Sequence, residues 1–104
     1  MKIFSYFLTS DSQPVAAPPI SDLVYKRTLV ADTAVTVTIP AGARMVSFVT
    51  TGIFFVRDGN AITLPTANDD NSPECNPVAR QVTAGATISL RSEAGCVVFM
   101  SFFK

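Results

Sequence analysis

The strongest constraint on what this chain can fold into is a strand-turn-strand plan that it writes twice. Residues 39–56 read Ile39-Pro-Ala-Gly-Ala-Arg-Met-Val-Ser-Phe-Val-Thr-Thr-Gly-Ile-Phe-Phe-Val56, and residues 82–99 read Val82-Thr-Ala-Gly-Ala-Thr-Ile-Ser-Leu-Arg-Ser-Glu-Ala-Gly-Cys-Val-Val-Phe99. At one constant offset Ala41-Gly42-Ala43 lies over Ala84-Gly85-Ala86, and Gly52 lies over Gly95. In both copies the second glycine opens a β-branched and aromatic run. Glycine is free to take positive φ, whereas Val, Ile, Thr and Phe fit a pleated, half-buried surface. Each copy therefore predicts turn, strand, turn, strand, which is the writing of a doubled Greek key.

The remaining segments agree with that plan. Val35, Val37 and Ile39 alternate with Thr36 and Thr38, the period of two that marks a strand with one buried face. A strand over residues 23–30 precedes it. Asp58-Gly59 stands between residues 54–57 and 60–64 and has the chemistry of a two-residue type I′ hairpin turn, with Pro65 stopping the second strand. Residues 66–78 hold turn formers without periodicity and read as an exposed loop. No window repeats apolar residues at helical spacing. The expected fold is all-β, a jelly-roll-like antiparallel β-sandwich of about eight strands occupying residues 23–104. Residues 1–22 read as an extended N-terminal arm, with a short strand over residues 3–8 and a linker stiffened by Pro14, Pro18 and Pro19.

Length and charge bound the partners. A chain of 104 residues is one domain on length alone. Charged residues make up 15% where about a quarter is usual, so the surface favours burial against other chains. Lys plus Arg equals Asp plus Glu at 8 each, and the basic residues are scattered, so no field gathers a polyanion and no nucleic acid is expected. The apolar runs fall far short of the roughly 20 residues that cross a bilayer, so no membrane partner is expected. The apolar part of the first residues is too short for a secretory leader. Cys75 and Cys96 are expected as reduced thiols, with Cys96 in the core.

The last strand does not alternate. Val97, Phe99, Ser101 and Phe103 share one face, and Cys96, Val98, Met100 and Phe102 share the other, so both faces are mostly apolar. In a two-layer sandwich such a strand needs cover on its outer side, from the arm or from another subunit. The run from Ile53 to Val56 poses the same problem. The candidate interface residues are Ile3, Phe4, Tyr6, Phe7 and Leu8 of the arm together with Phe54, Val98, Met100 and Phe102, and the expected partner is a further copy of the chain, as a homotrimer or homodimer.

Catalytic chemistry has little to work with. The chain has no histidine, which removes the usual general base and the commonest metal ligand. It has no Gly-x-Ser-x-Gly elbow and no phosphate-cradling glycine loop. The acidic stretch from Asn68 to Glu74 lacks the glycine and ligand spacing of an EF-hand and reads as a solvated loop. No catalytic, cofactor-binding or metal residues are expected, no cofactor is expected, and the chain is not expected to be an enzyme. Lys26, Arg27, Arg44, Arg57, Arg80 and Arg91 fall in strands, where they serve solubility and edge protection or, for the arginines, bridge subunits.

Several strings carry a resemblance: Ile39-Pro-Ala-Gly-Ala-Arg44, Phe54-Phe-Val-Arg-Asp-Gly59, Asn76-Pro-Val-Ala-Arg80 and Ala84-Gly-Ala-Thr-Ile-Ser-Leu90, followed by an aromatic, β-rich end. Over residues 24–103 the chain resembles small structural proteins from the virion gene clusters of tailed bacteriophages. The resemblance implies a head decoration (cement) protein: a jelly roll or β-tulip on the capsid exterior, assembled in the host cytoplasm. It further implies a trimer or dimer over the symmetry axes that clamps adjacent copies of the major capsid protein, often with an extended arm. The alternative is a tail or fibre component, acting as a receptor- or glycan-binding module through residues 66–78 or as a connector ring subunit. Against the glycan reading, that loop holds Asp69, Asp70 and Glu74 but no aromatic, and the chain has no Trp.

Overall fold

The computed structural model describes Met1, the backbone of Ser5–Leu8 and Pro14–Ala17, and residues 20–104. Its strands are β1 (Ser5–Leu8), β2 (Pro14–Ala17), β3 (Val24–Leu29), β4 (Val35–Thr38), β5 (Met45–Thr50), β6 (Phe55–Asp58), β7 (Glu74–Cys75), β8 (Ala79–Gln81), β9 (Thr87–Arg91) and β10 (Cys96–Phe103). No helix occurs among the described residues. Eight of the strands form two antiparallel sheets, β3-β10-β5-β8 and β4-β9-β6-β7.

The pairing has a simple origin. Leu29 lies opposite Cys96, Val35 opposite Leu90, Met45 opposite Gln81, and Phe55 opposite Cys75. The chain is thus one long antiparallel hairpin, with limbs β3 to β6 and β7 to β10, whose successive rungs fall alternately in one sheet and the other. The pairs β5–β10 and β6–β9 close the wrapping. A hairpin rolled up in this way is a jelly roll, and the expected all-β sandwich is the fold observed.

The two Ala-Gly-Ala turns do the same work in each limb. Ala43 N–H donates to Pro40 O at 3.2 Å and Ala86 N–H to Thr83 O at 3.1 Å, with Gly42 at φ 82° and Gly85 at φ 81°. An i to i+3 bond with glycine third and φ near +80° is the type II turn. One turn carries the chain from β4 to β5, the other from β8 to β9, and each crosses between sheets. They also hold each other: Ile39 N–H donates to Ala86 O (2.8 Å) and Gly85 N–H to Ile39 O (3.0 Å). The likeness ends at the second glycines, because Gly95 has φ 87° and Gly52 is not in the positive-φ region. A Cβ on Gly52 would instead lie 3.0 Å from Cys96 Cβ, so Gly52 serves close approach rather than a turn.

Two local expectations are corrected. The Asp58-Gly59 hairpin does not form, since residues 60–64 are not a strand and β6 pairs with β7 and β9. Only Gly59, not Asp58, has positive φ, so the turn lacks the backbone that type I′ requires. Tertiary bonds take the segment elsewhere. Ser89 Oγ donates to Gly59 O (2.6 Å), Thr87 Oγ1 to Asn60 Oδ1 (2.8 Å), and Arg91 to Ile62 O (3.1 Å). Residues 87, 89 and 91 share the outer face of β9, so the segment folds back across that face and buries Ile62 and Ser89. The second correction concerns the arm. The stretch expected as linker carries β2, which pairs antiparallel with β1, Leu8 opposite Pro14 and Ser5 opposite Ala17. Pro14 is the first residue of its strand, a position where a missing N–H is tolerated. This two-stranded sheet joins neither larger one.

The core lies between the two sheets. Val46 and Phe48 of β5, Val98, Met100 and Phe102 of β10, Val37 of β4, Val56 of β6, and Ile88 and Leu90 of β9 all face it. Tyr25 meets Phe102 edge-on with ring centroids 4.9 Å apart, and Phe48 meets Phe54 at 5.4 Å. At the β3 edge Arg27 lies on the inner face and lays its guanidinium over the Tyr25 ring at 5.1 Å, so a charged residue ends the core without being buried in it.

Candidate functional site

Two surfaces stand out. The first is a cleft of about 360 Å³ where the sandwich opens between edge strands β7 and β8. Its floor is the side of the core, with Val46, Phe48, Val56 and Ile88, and its rim is charged, with Arg57, Asp58, Glu74 and Arg80. A second recess of about 480 Å³ continues it past Asp58 and Gln81 toward Thr87. Arg80 Nε donates to both carboxylate oxygens of Glu74, at 3.0 and 2.9 Å, and thereby ties β8 of one sheet to β7 of the other. Arg57 donates to the carbonyl of Asn71, which holds the loop before β7 over the cleft. Ser72 gives its hydroxyl to Pro73 O at 3.0 Å. Arg57, Ser72, Glu74 and Arg80 are engaged with the protein itself, and two cations face two anions on the rim, so the cleft offers an apolar floor without a net charge.

The second surface is the outer face of β3-β10-β5-β8. Residues directly opposite share a face, so Lys26, Phe99 and Val49 form one row, and Val24, Ser101, Ser47 and Ala79 form the next. Val49 is 64% exposed and Val24 48%, while Val97 and Phe99 are half-buried. Lys26 Nζ lies 5.9 Å from the Phe99 ring centroid and covers part of it. This face mixes exposed apolar side chains with the hydroxyls of Ser47 and Ser101 and carries a single charged row-end, Lys26.

The residues expected at an interface are placed differently. Val98, Met100, Phe102 and Phe54 are each 0% exposed and lie in the core cluster; they have no surface to offer a partner. The alternation in β10 correctly separates two faces, but the inward one is the face of Val98, Met100 and Phe102, and the side chains left for a partner are those of Val97 and Phe99. Phe54 stands before β6 and packs on Phe48, and its N–H is held by Asn76 Oδ1 at 2.8 Å. Of the arm residues, Ile3 and Phe4 lie outside the described residues, and Tyr6, Phe7 and Leu8 are described by their backbone in β1, with their side chains outside it.

The other expected features sit as follows. Cys75 is exposed and Cys96 buried, both as free thiols. Among the described residues no three His, Cys, Asp or Glu side chains come together in a metal-binding group. In the acidic loop Asn71 N–H donates to Asp69 Oδ1 at 2.9 Å, an Asx turn that uses the carboxylate to shape the loop. The cleft is the surface that sequence reasoning missed: its rim residues are far apart in the chain, and only the pairing of β6 with β7 and of β5 with β8 sets them side by side.

No protein-family model, no curated protein and no solved structure matches the chain.

Proposed function

We propose that this chain is a structural virion protein, a head decoration (cement) subunit of a tailed bacteriophage that associates with itself and stabilises a shell of major capsid protein from outside. The observation that carries the reading is the outer face of β3-β10-β5-β8, where Val24, Val49, Val97 and Phe99 lie together. A surface of this kind is what a subunit needs when its work is to bury area against neighbours. The jelly roll supports it, being an architecture that capsid domains use, and so does the low charge, 15% of residues. Many modest interfaces on one shell add through avidity.

The test is a copy count on purified particles that contain the chain. A stained gel band comparable with that of the major capsid protein marks a shell component, and a ring- or fibre-sized count overturns the reading. The second reading, a ligand-binding tail or fibre module, is favoured by the cleft between β7 and β8. It predicts that Arg57→Ala and Glu74→Ala abolish attachment to the host surface while leaving the particle's stability unchanged.

A further inference from the structure

The two large sheets leave four edges, β3, β8, β4 and β7. An edge strand presents unpaired N–H and C=O groups to any chain that fits, and soluble proteins blunt such edges with charge, shortness or proline. Three of the four are blunted. β3 carries Lys26 and Arg27 side by side, β8 is three residues long with Arg80 in its middle, and β7 is two residues long and contains Glu74. β4, four residues long, carries neither charge nor proline. Its sequence is Val35-Thr36-Val37-Thr38, Ala34 precedes it, and Ala34, Thr36 and Thr38 are all exposed.

The backbone of β4 is oriented for pairing. Ile39 N–H and C=O are both spent toward β9, on Ala86 and Gly85. In a strand these groups point alternately left and right, so Val37 and Val35 also face β9, where they pair with Ile88 and Leu90. Ala34, Thr36 and Thr38 therefore turn their N–H and C=O to the open side.

We propose that β4 is a self-association edge, on which a second copy of the chain adds its own β4 antiparallel about a two-fold axis at Thr36. In this register Thr36 lies opposite Thr36 of the second copy, and Ala34 opposite Thr38 on either side. Every outward backbone group then finds a partner, giving roughly six new hydrogen bonds. Setting the axis at Val37 instead places Ala34 opposite Pro40, which has no N–H to donate. A copy is the occupant because the strand complements itself: it is uncharged, and its outward Thr side chains pair with Thr or Ala. The same operation centred on β3 sets Lys26 against Lys26 or Arg27 against Arg27, and on β8 it sets Arg80 against Arg80. The result is one continuous eight-stranded sheet across the dimer, an isologous contact of modest area suited to use in an array. The inference does not depend on the shell reading, because it is tested on the purified chain whereas that reading is tested on the particle.

The experiment uses Cys75→Ser as background, since Cys75 is an exposed thiol. Paired Cα atoms at a hydrogen-bonded position stand about 5.5 Å apart, inside the range that a disulfide spans. On mild oxidation Thr36→Cys in that background gives a disulfide-linked dimer as its main band, and Lys26→Cys in the same background does not. By sedimentation at high micromolar concentration the wild type forms a dimer that Thr36→Lys, with unchanged circular dichroism, loses. A wild type that stays monomeric, a dimer that persists in Thr36→Lys, or crosslinking through position 26 instead of 36 overturns the proposal.

Discussion

Asn76 and Phe54 clasp each other through two hydrogen bonds. Asn76 N–H donates to Phe54 O at 3.0 Å, and Phe54 N–H donates to Asn76 Oδ1 at 2.8 Å. Asn76 sits at φ 47° to do so, a region that asparagine tolerates better than most residues. The clasp sets the fully buried Phe54 ring against Phe48 at the point where β7 joins β6. Asn76→Ala loses the side-chain bond and adds left-handed strain, and is expected to cost about 2 kcal/mol. Asn76→Asp keeps the acceptor and Asn76→Gly removes the strain, so both retain more stability than Asn76→Ala. Urea denaturation of the three variants gives the order.

Ser92 is 1% exposed and its hydroxyl serves two backbone groups. It donates to Ile53 O at 2.7 Å and accepts from Gly95 N–H at 3.1 Å. Ser92→Ala leaves both without that partner, and the expected loss is about 1–3 kcal/mol. Ser92→Cys, which keeps a weaker donor and acceptor, is expected to fall between, as read by thermal and urea unfolding.

Gly85 and Gly95 have nearly the same φ, 81° and 87°, but different surroundings. A Cβ on Gly85 meets nothing within 4 Å, whereas one on Gly95 lies 3.0 Å from Leu29 O and 3.5 Å from Ala31 N. Gly85→Ala is expected to cost the conformational strain alone, about 1–2 kcal/mol. Gly95→Ala pays that strain and a backbone clash, so its urea midpoint falls further.

Phe102→Ala and Val49→Asp separate core from surface. Phe102 is fully buried between the sheets, and its truncation is expected to cost about 3–5 kcal/mol, a large part of a small domain's stability. Val49 is exposed on the outer face, and Val49→Asp is expected to leave the unfolding midpoint nearly unchanged. Under the proposed function Val49→Asp weakens binding to the shell, as read by co-sedimentation with particles.

The Arg80–Glu74 pair joins the sheets, yet both side chains are about half exposed, at 50% and 52%. Water and salt screen such pairs, so Arg80→Ala is expected to cost at most about 1 kcal/mol. A double-mutant cycle with Glu74→Ala measures the coupling. A stability loss the size of a core truncation would show that the cleft is held by this pair rather than by the strands beneath it.

Much of the fold could be read from local chemistry. Alternation around Val35, Val37 and Ile39 marked β4, and the repeated Ala-Gly-Ala marked two turns. What stayed illegible depended on partners far along the chain. Asp58-Gly59 carries a genuine hairpin signal, but Ser89, Thr87 and Arg91 draw the following residues across β9 instead. In β10 both faces are mostly apolar, Ser101 being the single polar side chain between them, so periodicity groups Val98 with Met100 and Phe102 but gives only a weak sign that this group looks inward. Gly52 and Gly95 match in letter and differ in cause, one spared a clash with Cys96 and the other a left-handed strain. The cleft was out of reach altogether, since Arg57, Glu74 and Arg80 become neighbours only when the long hairpin is rolled.

That rolled hairpin also fixes when the domain can form. β10 comes after every other strand of the sandwich in chain order, yet it lies in the interior of its sheet, between β3 and β5. Val24, at the start of the roll, waits for Ser101 as its opposite residue. While the chain is still emerging from the ribosome, β3 and β5 have no strand between them and the apolar faces of both remain wet. Within the sandwich the tip, where β6 meets β7, closes the shortest loop and is the natural place for pairing to begin; β3 and β10 close the longest and join last. The sandwich therefore closes only once β10 has emerged, and the growing chain carries its exposed core side chains until that strand arrives.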